Sequence, residues 1–121
     1  MHSVLKNFRQ GKYNSNPYPY IVIDNALPWD YYNQLNESFP EYDKIINNRE
    51  YFQNFAYRKN AAESLSDKDI PKIWKSFVRY HTSYNFVKEI FHIFGKDIIN
   101  NYPPMKNNLV QEHHCGVRFL E

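Results

Sequence analysis

Cysteine is nearly absent from this chain. Cys115 is the single one, so no internal disulfide can form and nothing in the residues points to an oxidising compartment. Glycine is scarce as well, with three in 121 residues. That leaves no Gly-rich phosphate loop and no Gly-x-Ser-x-Gly elbow. No stretch approaches the roughly eighteen uninterrupted apolar residues of a membrane span, and Met1 to Tyr13 contain no apolar segment of the secretory kind. A cytoplasmic protein without a membrane partner is expected. Charge of one sign is also lacking. Fifteen basic and thirteen acidic residues leave a net charge of +2, without the basic stripe that a nucleic-acid partner requires.

Aromatic residues, by contrast, are plentiful. Eleven Tyr, nine Phe and two Trp stand in a chain that is 42% hydrophobic, a composition that favours a folded core over disorder. The length suits one domain. The heavy use of Asn, Lys, Ile and Tyr resembles coding from an AT-rich genome and carries no function.

Residues 1–16 are polar and read as a flexible lead-in; the single domain is expected to span 17–121. Pro17 and Pro19 hold the chain extended. Tyr20-Ile21-Val22-Ile23 is a short β-branched run, expected as a strand buried on both faces and closed by Asp24-Asn25. After Pro28, Trp29, Tyr32, Leu35 and Phe39 recur at helical spacing until Pro40, which predicts a helix packed on a sheet. Residues 41–64 show no clean period, and Ala61 to Ser66 read as a loop. A helix pair is expected over about 69–95. Ser66-Asp67-Lys68-Asp69 supplies start chemistry with Pro71 in the first turn, followed by Ile70, Ile73, Trp74, Phe77 and Val78 on one face. Thr82-Ser83 caps the second helix, whose stripe is Tyr84, Val87, Phe91 and Phe94, and Gly95 is expected to end it. Over about 109–121, Cys115, Val117 and Phe119 alternate with Gly116, Arg118 and Leu120, the pattern of a strand.

Few residues offer chemistry. Glu112-His113-His114-Cys115 brings ligand-type side chains together, but alternation along a strand puts only His113 and Cys115 on one face. Zinc wants four ligands, or three and water, and an oxygenase iron wants two His and a carboxylate. A metal site from His113, His114 and Cys115, completed across a dimer, is therefore the least supported of three readings. His81 and His92 have no acidic residue or Cys three or four positions on, and read as satisfied, half-buried histidines. Arg118 suits a bidentate grip on a carboxylate, but it reads as a solvent-facing position of the expected strand. Aromatics interleaved with Lys would suit stacking on single-stranded nucleic acid, yet they fall at core periods. No catalytic, cofactor-binding or metal residue is assigned.

Three segments resemble a known family. Pro17-Tyr18-Pro19-Tyr20-Ile21-Val22-Ile23-Asp24-Asn25-Ala26-Leu27-Pro28, with its helix running to Phe39-Pro40, resembles the opening of Fe(II)- and 2-oxoglutarate-dependent oxygenases related to prolyl hydroxylases. Ile73-Trp74-Lys75-Ser76-Phe77, Tyr80-His81-Thr82-Ser83, Phe86 and Ile90 to Gly95 are similar to the helix pair of the same proteins. Gly116-Val117-Arg118-Phe119 is similar to an early strand of their β-core. The resemblance implies an α+β fold: N-terminal helices and the first strands of a double-stranded β-helix (jelly-roll) core, incomplete here. It implies an intact protein that uses Fe(II), O2 and 2-oxoglutarate to hydroxylate a substrate, with succinate and CO2 as the other products. The family holds iron by His-x-Asp/Glu and a distant His, and 2-oxoglutarate by a late Arg or Lys. No position in this chain matches them, and the resemblance places them beyond Glu121.

The chain is thus expected to bind neither Fe(II) nor 2-oxoglutarate and to be inactive alone. Its partner would be the missing C-terminal half of the β-core, and the open edge of its last strand would favour homo-oligomers. The alternative is a complete, non-catalytic small domain that binds a partner through its aromatic surface.

Overall fold

Gly11 sits where the backbone passes close to the next strand, and the first element pair is built around it. The computed structural model describes residues 2–41, 45 and 59–104. After a 3-10 turn at Phe8–Gln10, strand β1 (Lys12–Asn14) pairs antiparallel with β2 (Tyr20–Val22), in the register Lys12 to Val22, Tyr13 to Ile21 and Asn14 to Tyr20. A Cβ placed on Gly11 would lie 2.9 Å from both the Val22 carbonyl oxygen and Ile23 Cγ1. Only glycine allows the strands to approach so closely at this end. Beyond β2, Asn25 takes the left-handed conformation (φ 52°), which Asn tolerates better than most residues.

Four helices follow among the described residues: α1 (Trp29–Glu37), α2 (Ala61–Ser66), α3 (Lys72–His81) and α4 (Tyr84–Asn101). Two begin directly after a proline. Pro28 and Pro71 occupy the cap positions with ψ 141° and 145°, and their carbonyls accept the Tyr32 and Lys75 N–H groups at 2.9 and 3.0 Å. Proline suits this place because it brings no N–H that would need a partner. The other two have side-chain caps: Asn60 accepts from the Glu63 N–H at 2.8 Å, and Ser83 Oγ from the Phe86 N–H at 3.3 Å.

The backbone divides into two compact units, Leu27–Thr82 and His2–Ala26 with the chain from Ser83 onward. In the first, α3 packs against α1 and α2, and Leu35 and Ile70 are buried. In the second, Ser3 is buried and donates to Glu89 Oε2 at 2.7 Å. Tyr13 of β1 leans on Phe94 of α4 with ring centres 5.7 Å apart.

Mixed helix and strand is therefore the observed class, and its only sheet among the described residues is this two-stranded one. Several expectations need correction. The polar lead-in of residues 1–16 contains the 3-10 turn, β1 and the buried Ser3; strand pairing and one buried hydroxyl organise it, and neither depends on apolar content. β2 is exposed at Tyr20 and Val22, since a two-stranded ladder lacks a layer to cover both faces. α1 packs on a helix, α3, where a sheet was expected. Ala61–Ser66 is helical, because Asn60 and Glu63 form a cap that outweighs the small polar composition. Pro71 caps α3 from outside its first turn. α4 runs past Gly95, which is buried within it, and ends at Asn101; Ile98 and Ile99 prolong its apolar stripe. The segment 41–58, apart from Glu41 and Ile45, and the strand expected over 109–121 lie outside the described residues.

Replacing Gly11 by Ala is expected to destabilise the fold by about 1–3 kcal/mol, the usual cost of forcing atoms into an occupied site. A urea titration followed by circular dichroism measures it, and an unchanged midpoint would contradict the close approach of the strands.

Candidate functional site

The richest set of interactions in the Leu27–Thr82 unit gathers around Trp74. Helical spacing from Pro71 puts Trp74, Phe77 and Val78 on neighbouring positions of one face, and Ile70 lies buried just before the cap. The Trp74 indole N–H donates to the Leu35 carbonyl at 2.8 Å. Phe39 meets the Trp74 ring edge-on at 5.3 Å, and Phe77 does so at 5.6 Å. Next to them lies a cavity of about 290 Å³ bounded by Phe39, Ile45, Lys59, Ile70, Trp74 and Val78. The cation it has among the described residues is already engaged. Lys59 Nζ stands 2.6 Å from Asp67 Oδ2, with the two side chains only 5% and 15% exposed.

That pairing decides the chemistry of both groups. The Lys59 hydrogen bond, and after it the Asp69 N–H at 2.8 Å, hold the Asp67 carboxyl below its ordinary value. Lys59 is engaged by that carboxylate and serves as its structural partner. Burial pushes the Tyr31 phenol upward, so it stays neutral at ordinary pH.

The histidines have structural surroundings. His81 Nδ1 lies 2.7 Å from the Phe77 carbonyl, which can only accept, so the ring donates there. The same ring packs on Phe77 and Tyr80. His92 is exposed, where half-burial was expected, and meets Phe8 edge-on at 5.4 Å. Glu112, His113, His114, Cys115 and Arg118 lie outside the described residues.

Two further surfaces were not anticipated as sites. Trp29 and Tyr32 on α1 are stacked on one another at 5.8 Å, yet 74% and 47% exposed. Their helical spacing was legible, but that spacing reads equally as a buried stripe. In the other unit, Pro19, Ile90, Phe94, Ile98 and Tyr102 border an apolar groove of about 530 Å³ along α4. It extends into the turns beyond Gly95, where no helix was expected.

Iron of the oxygenase kind needs two His and a carboxylate turned to one point. Among the described residues no three His, Cys, Asp or Glu side chains are grouped to hold a metal ion, so these residues do not fit that centre and no chemical step passes through it. Among the same residues, no helix is long and apolar enough to cross a membrane. No protein-family model, curated protein or solved structure matches the chain.

The Lys59–Asp67 pair predicts an acid-sensitive contribution to stability. A carboxyl whose folded pKa is depressed contributes stability that is fully present above its unfolded value, about 3.9, and lost as pH falls through the folded value. Urea midpoints recorded from about pH 6 down to about pH 2 should fall more steeply for the parent than for Asp67→Asn, with Asp67→Asn the less stable at neutral pH. Parallel curves would contradict the pairing.

Proposed function

We propose that the chain is the N-terminal scaffold of an Fe(II)- and 2-oxoglutarate-dependent oxygenase of the prolyl-hydroxylase kind, contributing helices and early strands to a jelly-roll core and catalysing nothing alone. One observation supports this reading: among the described residues, a strand, a helix that starts after a proline and a helix pair lie in the segments that carry the first two parts of the resemblance. β2 occupies Tyr20–Val22, α1 starts directly after Pro28, and α3 and α4 follow as consecutive helices with Ser83 capping the second. The surface of α3 agrees with a buttressing role. Ile73, Trp74, Phe77 and Val78 are all half-buried and none is fully covered, as suits a helix with a further layer to meet. Iron, 2-oxoglutarate and the substrate would be held by residues outside this chain.

A second reading has its own observation. The exposed Trp29–Tyr32 stack suits a small non-catalytic domain that binds another protein through aromatic side chains, since large exposed aromatics mark interaction surfaces more often than plain solvent faces.

Sequencing the gene beyond the codon for Glu121 separates the two. The oxygenase reading predicts a His-x-Asp or His-x-Glu and, further on, another His. It also predicts that the extended protein, supplied with Fe(II) and O2, turns over 2-oxoglutarate while residues 1–121 do not. An immediate stop codon would overturn it and leave the binding domain.

A further inference from the structure

The cavity beside Trp74 lies wholly among residues of the Leu27–Thr82 unit. Among the described residues, three side chains with polar atoms border it, and each is committed within the protein. The Trp74 indole N–H goes to the Leu35 carbonyl at 2.8 Å. The Ser64 hydroxyl donates to the Asn60 carbonyl at 2.9 Å. The Lys59 ammonium is held by Asp67 at 2.6 Å. Lys59 also borders a second, polar hollow, which it shares with Asp67, Lys68 and Asp69. Its charge is thus met on the polar side, and its methylene stem is left for the apolar cavity.

Size and access supply the second observation. An apolar cavity of about 150 Å³ takes up benzene, and this one, at about 290 Å³, has room for a substituted ring or two fused ones. Ile70 is 6% exposed and closes the inner end, while Phe39 is 58% exposed. The cavity therefore opens to water beside Phe39 and deepens toward Ile70.

We propose that this cavity is a binding site for a small uncharged aromatic molecule of one or two rings, held by apolar contact with Phe39, Ile70, Trp74 and Val78. A charged ligand finds no partner here, since Asp67 already neutralises Lys59 and burying an unpaired ion is costly. A strongly polar one would give up hydrogen bonds to water and gain none from groups already committed. A long aliphatic chain would lose rotamer freedom on entry. A flat ring loses little, and can meet the Trp74 and Phe39 rings edge-on or offset. The inference goes beyond the proposed function and depends on neither of its readings.

Nuclear magnetic resonance on the isotope-labelled 121-residue chain tests it, with toluene as the probe and benzoate and benzylamine as its anionic and cationic counterparts. Toluene should bind and show cross-relaxation to the Trp74 ring and the Val78 methyl groups. Benzoate and benzylamine should bind at least about tenfold more weakly, because each brings a charge that the cavity does not meet. Val78→Phe, which puts a ring into the space, should abolish toluene binding; if that variant does not fold, the contacts seen in the parent chain decide alone. No binding of toluene would overturn the proposal, as would contacts that lie elsewhere, such as along α4 at Phe94 and Ile98. Undiminished binding by a folded Val78→Phe would overturn it too. Benzoate or benzylamine bound as tightly as toluene would overturn the assignment to uncharged ligands.

Discussion

The last carbonyls of a helix have no partner within it and must find one elsewhere. In α1 this need determines how the helix is held. Gln34's carbonyl is taken by the Ser38 N–H and by Ser38 Oγ at 2.6 Å. Leu35's carbonyl receives the Trp74 indole N–H from α3. A tryptophan on one helix thus completes the end of another, in the place where Leu35 is buried and Phe39 closes over the ring. The edge-on contacts of Phe39 and Phe77 and the small cavity beside them gather around the same ring.

The ends of α3 repeat the logic with different groups. Pro71 begins the helix without an N–H to satisfy, while at the other end Thr82 Oγ1 donates to the Val78 carbonyl at 2.8 Å and the His81 ring donates to that of Phe77. Polar side chains in this unit are thus largely committed to ends and turns. Lys59 and Asp67 likewise neutralise one another next to the cavity.

The amino-acid pattern announced those features that depend on local chemistry. Pro28, Pro71 and Ser83 mark helix starts to within a residue, and Tyr20-Ile21-Val22 is a strand. It was silent where a partner distant in sequence decides. Lys12-Tyr13-Asn14 is a strand by pairing with β2, next to a close approach that Gly11 accommodates. Gly95, a good terminator by type, is carried through α4 because the apolar stripe continues to Ile98 and Ile99. Asn60-Ala61-Ala62-Glu63 did contain a legible cap, which small neighbouring residues obscured. Whether Trp29 faces a core or water is likewise unreadable from spacing, since period 3.6 defines a face without saying which one is covered.

The account turns on Trp74 as the distant cap of α1. Trp74→Phe retains an aromatic ring for Phe39 and Phe77 but removes the N–H. Hydrogen exchange on the two proteins, with urea unfolding alongside, tests it most directly. The account predicts a loss of about 1–3 kcal/mol, the cost of leaving a withdrawn carbonyl without its donor, together with faster exchange concentrated in the last turn of α1. Unaltered stability and unaltered protection in that turn would contradict it.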